Sequence, residues 1–316
     1  MSATGIVENT LNMMEGDNSH ITVVLRPCYD KLDKNNERYE KMEPFILTNK
    51  EYFSIKEWMD RYPGLEVGFT TKNGGVSEQA FSGLNFGFHV GDQQDAVCQN
   101  RLLLANKIDF PLESWVGAEQ THEIHIEKIS KNDQGRGSDD YASSFSGTDG
   151  FITDEAGVLL TLCYADCVPL YFIEPDMRLI GVAHAGWKGT VNGIGAEMIS
   201  KFQQNGANLE KISAVIGPSI CKKCYIVDER VILLVKNVLE GVENLPYNQI
   251  SEGQYSLDLK EVNRQILLKA GVKSENLFVT DYCTSCHSEH FYSHRRDKGN
   301  AGRMIAYIGW KEDSRP

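Results

Sequence analysis

Apolar residues recur along this chain with two periods, and each period predicts its own kind of element. Spacing near 3.6 predicts a helix over 92–107, where Val97, Arg101 and Leu104 share a face beside Leu103 and Ala105, and Asp92 stands as the cap. The same spacing over 192–204 brings Ile194, Met198, Ile199 and Phe202 together. Asp228 opens a third helix, ERVILLVKNVL, and Asp258 a fourth, LKEVNRQILLKA, which Gly271 stops.

Short apolar runs bounded by Gly, Pro and polar clusters predict the strands. LEVGF enters a turn at Asn73-Gly74-Gly75, residues that take positive φ readily, and the next stretch, GLNFGFHVGD, is Gly-rich again. The end of WVGAEQTHEIHIEKI alternates as a strand does, Gly150 opens FIT, and GVLLTLC follows. Two further apolar runs lie inside 161–190, then SAVIGPSI ends at a Gly-Pro turn, and a Cys/His/Arg-rich loop separates the last two strands. Between Lys131 and Gly150 the chain is a long polar loop, expected as a lid or a disordered excursion.

Residues 1–44 follow neither period. They carry the mixed-charge tract DKLDKNNERYEKME and one strand-like stretch, ITVVLRPCY, and are expected to form an N-terminal extension. The pattern predicts an α+β fold from residue 45 to 316: a single layered domain with mixed β-sheets flanked by helices. A formal net charge of -12 argues against nucleic acid or an anionic membrane as partner, since phosphate binding draws on clustered Lys and Arg. With no membrane-length apolar run and no signal-like N-terminus, a cytoplasmic protein with a small ligand is expected, as monomer or homodimer.

The chemistry concentrates in TLCYADCVPLYFIEPDMRLIGVAHAGWKGT. Cys167 precedes one apolar run and His184 ends the next, an arrangement that serves either a metal site or a nucleophile pair. A metal site needs a third ligand; His122 is the candidate, although spacing does not separate it from His125 or His89. Asp166 is a possible proton carrier, but in a regular strand it points away from Cys167 unless the backbone kinks. The turn AGWKGT offers backbone N–H groups and Lys188 to an anion.

Cys221/Cys224 and Cys283/Cys286 each have C-x-x-C spacing. The chain between the two pairs is far longer than a zinc ribbon spans, so core or incidental thiols are expected rather than a closed four-cysteine site. His287, His290 and His294, beside Arg295 and Arg296, read as a solvated or anion-contacting loop rather than a second metal site.

Taken together, FTTKNGGVS, LNFGFHVGD, EQTHE, YADCVPL, HAGWKGT, IGPSI, CYIVDE and FYSHRRDKGNAGR resemble the laccase-domain, or polyphenol-oxidase-type, family of purine nucleoside phosphorylases, over about residues 45–310. The resemblance implies a zinc site, open also to copper, made by His122, Cys167 and His184. Cys167, His184 and Asp166 are then the expected catalytic residues, and Lys72, Asn85, Lys188 and Arg295 the expected contacts to substrate and phosphate. The implied reactions are phosphorolysis of adenosine, inosine, guanosine and 5′-methylthioadenosine, and deamination of adenosine. Two positions depart from the family pattern: Gln120-Thr121-His122-Glu123 stands where the family has Q-V-H-G, and Lys72 and Lys188 stand where Arg is common.

Three rival readings stand beside this one. His₂Cys is also a copper ligand set, although a multicopper oxidase needs His-X-His pairs and the chain has none. Cys167 and His184 could act as the pair of a cysteine hydrolase or amidase. A zinc-stabilised, non-catalytic module in cell-envelope quality control is the third.

Overall fold

The computed structural model describes residues 43–312, all of them in one compact unit. The strand expected in ITVVLRPCY, and the rest of the extension before Glu43, lie outside the described residues.

Two six-stranded sheets carry the architecture. The first runs in the order Ile46–Asn49, Tyr52–Ser54, Leu65–Thr70, Met304–Trp310, Leu159–Tyr164 and Trp115–Val116. The second runs Leu277–Val279, Ser213–Ile216, Val168–Glu174, Leu179–Ala185, Gly150–Thr153 and Ile126–Lys128. Each mixes parallel and antiparallel pairs, and a three-stranded sheet of Ile226–Asp228, Gln254–Leu257 and Tyr247–Ser251 stands apart.

The period of two in strand side chains explains the layering. Tyr171 and Ile173 meet Leu160, Leu162, Val67 and Phe69 in a core shared by the two sheets, while Leu170 and Phe172 point to the opposite face. There they pack against Met198 and Phe202 of the helix Ile194–Gln204 and Ile266 of the helix Leu259–Lys269. On the outer face of the first sheet, Leu159, Ile305 and Tyr307 pack with Leu104 and Ile108 of the helix Gln94–Ile108. The fold is therefore helix, sheet, sheet, helix, which is the α+β class the periodicity predicts.

The caps divide. Asp228 and Asp258 accept the N–H groups of Val231 and Glu261 as expected. Asp92 does not cap: Gln93 occupies that position, and the Asp92 carboxylate instead accepts Ser77 Oγ at 2.6 Å and Asn85 Nδ2 at 2.8 Å. The helix expected over 192–204 starts at Ile194, because Gly193, at φ 90°, separates it from a short helix Trp187–Val191.

The polar loop is neither a lid nor an excursion. Ser130 and Asp133 form a capping box at its start, and Arg101, buried on its helix, donates to the carbonyls of Gly137 and Ser138 as well as Phe86. Arg136 lies 3.6 Å over the Phe145 ring. Three anchors thus hold the loop as a wall, and Arg101 belongs to the helix face for a reason that apolar spacing does not reveal.

Glu66, buried on the strand Leu65–Thr70, has Lys311 Nζ at 3.7 Å. Burial pushes its carboxyl from 4.5 up to about 7, against the pull of Lys311. Between those values the folded chain keeps a proton that the unfolded chain has released, so this group removes stability as pH rises through the window. Glu66→Gln is expected to flatten that loss and to gain on the order of 1–3 kcal/mol over wild type above the window. Urea midpoints of both proteins at pH 5 and pH 8 check it, and equal pH slopes would contradict it.

Candidate active site and metal ligands

His184 lies near the end of the strand Leu179–Ala185 and is 3% exposed, with its ring fixed by Asp149. Its Nδ1 stands 2.8 Å from Asp149 Oδ1. A carboxylate only accepts, so Nδ1 carries the proton and Nε2 is left to serve as a ligand. The same buried carboxylate accepts the backbone N–H groups of Thr121, His122 and Glu123 at 3.1, 3.1 and 2.9 Å. Wrapping three successive N–H groups around one carboxylate accompanies an uncommon backbone at His122, φ 64°.

That bend presents the imidazole to Cys167, whose Sγ is 3.9 Å from His122 Nε2. His122, Cys167 and His184 each place one donor atom within 4.8 Å of the other two. One sulfur and two imidazole nitrogens, at about 2.3 and 2.0 Å from an ion, fit zinc and leave a fourth position open. His184 is buried, Cys167 is partly exposed and His122 is exposed, so the open side faces the cleft. His125 instead pairs with Glu127 at 3.0 Å on the surface, and His89 lines the same cleft without joining the donor set.

Charge within the triad is distributed by proximity. Burial raises the Cys167 thiol, but the His184 charge and hydrogen bonds from His122 and His184 outweigh it and bring the group to about 6. Burial lowers His184, and the Cys167 thiolate together with Asp149 reverses this to about 9. Each partner thus shifts the other, Cys167 downward and His184 upward, and both shifts favour the charged forms. His89 goes the other way: burial, then Arg303 and Arg101, lowers it to about 4, so it stays neutral.

Gly186 permits this closeness. A Cβ there would sit 2.8 Å from His122 Cδ2 and 3.2 Å from Cys167 Sγ. Gly186→Ala is expected to weaken metal binding by about 10-fold while the far-UV spectrum stays unchanged. Competition with a chromophoric chelator measures it, and wild-type affinity would contradict the packing argument.

The cleft above the triad holds about 410 Å³. Tyr141, Trp187 and Tyr225 give it aromatic walls, and Gln120, His294, Arg295 and Arg303 give it polar ones. Asp166 also faces it, because φ 86° kinks the chain between the strands Leu159–Tyr164 and Val168–Glu174. Its carboxylate accepts Thr284 Oγ1 at 2.6 Å, Ser293 Oγ at 3.0 Å and the Arg295 N–H at 2.7 Å. Asp166 thereby joins the turn that carries Cys167 to the loop that carries Arg295.

The other residues singled out in the sequence are placed elsewhere. Asn85 is fully buried, accepting the Gly87 and Arg303 N–H groups, which brackets the backbone behind Arg303. Lys188 is exposed on the helix Trp187–Val191 and is not in the cleft lining, and Lys72 borders a separate shallow depression with Tyr292 and Arg296. Asp149 and Arg303 escaped the sequence reading. Neither has a spacing relation to Cys167 or His184; only chain pairing brings them near.

A family model described as multi-copper polyphenol oxidoreductase laccase matches residues 66–311. The chain is 48% identical to the purine nucleoside phosphorylase YlmD of Geobacillus stearothermophilus over 253 residues, 80% of this chain and 92% of that protein. It is 46% identical to the purine nucleoside phosphorylase YlmD of Bacillus subtilis over 273 residues, 85% and 98% of the two. The crystal structure of the Geobacillus protein superposes with a TM-score of 0.83 at 45% identity, covering 86% of this chain and all of that one. A Neisseria meningitidis protein, NMB0706, superposes with a TM-score of 0.66 at 25% identity over 79% and 95%. The matched span and the identity to these relatives place the chain in the multi-copper polyphenol oxidoreductase laccase family.

Proposed function

We propose that this chain is a purine nucleoside phosphorylase, releasing the base from adenosine, inosine and guanosine as ribose 1-phosphate forms and from 5′-methylthioadenosine as 5-methylthioribose 1-phosphate forms, and that the same cleft deaminates adenosine. The observation that carries the reading is an open His122–Cys167–His184 donor set at the base of an aromatic cleft with two arginines on its wall. The relatives' names support it.

Zinc held by those three side chains supplies Lewis acidity and the means to activate water, which deamination at a purine C6 requires. The protein's own groups do the rest. The aromatic walls suit a planar base, and the cleft volume falls within the roughly 300–1,000 Å³ of small-molecule sites. Arg295 and Arg303 supply positive charge for phosphate; Arg295 is braced by the Ile226 carbonyl at 2.7 Å and by the Tyr225 ring at 5.0 Å. In phosphorolysis a phosphate oxygen bonds to C1′ as the C1′–N bond breaks, and the base leaves with the electron pair and then takes a proton. Neutral His89 offers the base a hydrogen bond without adding charge. Asp166, engaged by three donors, acts as a positioning residue that sets Arg295 relative to Cys167. Lys72 and Lys188, outside the lining, are assigned no contact to the reacting phosphate.

Zinc is favoured over copper oxidase chemistry because the chain has no His-X-His pair for a trinuclear cluster. A chromatographic screen of nucleosides on protein of defined metal content, with and without phosphate, is the test. Free base and ribose 1-phosphate that form only with phosphate are expected. No turnover of nucleosides, or oxidation of phenols by copper-loaded protein in its place, would overturn the reading.

A further inference from the structure

The four cysteines expected to be incidental thiols converge. Cys221, Cys224, Cys283 and Cys286 place their sulfurs within 4.8 Å of one another, although the two pairs come from opposite ends of a long stretch of chain. Topology explains the meeting. The strands Ser213–Ile216 and Leu277–Val279 are parallel neighbours, Ile216 opposite Val279, so both chains leave the sheet at the same end. A further parallel bridge pairs Ser219 with Cys283, and each C-x-x-C turn then folds back beside the other.

The local geometry suits a set of sulfur ligands. Cys283 Sγ accepts the backbone N–H of Cys221 at 3.2 Å and of Cys286 at 3.4 Å. Cys286 Sγ lies 3.8 Å from Cys221 Sγ and 3.4 Å from Cys224 Sγ. Four sulfurs at about 2.3 Å from a tetrahedral ion stand about 3.8 Å apart, close to the separations of Cys286 from Cys221 and Cys224. Lys222 and Lys223 lie between the first pair in the chain, and buried Lys260 donates to the carbonyls of Thr280 and Tyr282 just before the second pair.

We infer that these cysteines form a closed, structural zinc site, separate from the His122–Cys167–His184 set. Binding releases the thiol protons to solvent and involves no redox change. All four positions are filled by protein, so the ion does no chemistry on substrate; it ties two walls of the cleft together. One turn carries Ile220 and Tyr225, and the other leads through Thr284 to Ser293 and Arg295, both anchored on Asp166. The ion thus fixes the spacing that the Asp166 hydrogen bonds depend on.

Metal analysis of the full chain, purified with zinc and no chelator, decides the matter. Wild type is expected to carry two zinc ions per chain, Cys167→Ala one, and Cys224→Ser/Cys286→Ser one. Cobalt exchanged into Cys167→Ala is expected to show the intense thiolate-to-metal absorption of a four-sulfur tetrahedral site, and this protein keeps all four cysteines should the double variant fail to fold. Metal-free Cys167→Ala, iron in place of zinc, or a Cys224–Cys286 disulfide found by mass would each overturn the inference. Retention of one ion in Cys167→Ala is independent of nucleoside turnover, so failure here and failure of the proposed activity are distinguishable.

Discussion

Cys167→Ala is expected to lower phosphate-dependent base release from inosine by at least about 100-fold, and adenosine deamination with it, in a protein that melts normally. The thiol is the one sulfur among the three donors, and its removal leaves His122 and His184 as a two-nitrogen set. It is only partly exposed and packs against the sheet core, yet alanine there removes one sulfur rather than a large apolar group, so the effect falls on chemistry more than on folding. Steady-state rates for both reactions, with circular dichroism melts, measure it. Unchanged rates in folded protein would remove Cys167 from the site.

Asp149→Asn is expected to damage both function and fold. The carboxylate accepts five separate donors: three backbone N–H groups, the Thr121 hydroxyl and the His184 ring. An amide accepts only through its oxygen and turns its NH₂ toward groups that are themselves donors, leaving some of them unpaired in a buried place. The loss is on the order of 3 kcal/mol of stability, and metal affinity falls about 10–100-fold as His184 loses its orientation and His122 its backbone clamp. Denaturant unfolding and metal competition report the two parts separately. A variant with wild-type values for both would show that the network does not position the ligands.

How much of this was legible in the sequence depends on whether a signal is local. Capping by Asp228 and Asp258, the stop at Gly271, the helix stripe through Met198 and Phe202, and the strand ends at Cys167 and His184 all follow from neighbouring residues. Where a second, distant segment decides, the reading failed or stayed open. Asp92 has the right identity for a cap but bonds Ser77 and Asn85 instead. The four cysteines read as core or incidental thiols by spacing, because the two parallel strands that bring them together are invisible as partners in the sequence. Asp166 faces away from Cys167 in a regular strand, and the positive φ is the kink that turns it into the cleft. Asp149 is an ordinary acidic residue before a glycine until Thr121, His122 and Glu123 wrap around it. The choice among His122, His125 and His89 likewise rests on that wrapping, which presents His122 and leaves His125 on the surface with Glu127.

The most direct measurement incubates adenosine and phosphate with zinc-loaded, copper-free protein and resolves all products over time, for wild type and Cys167→Ala side by side. The account predicts adenine with ribose 1-phosphate and inosine from wild type, and neither route from Cys167→Ala. Both routes persisting in the variant, or base release by wild type that does not depend on phosphate, would contradict it.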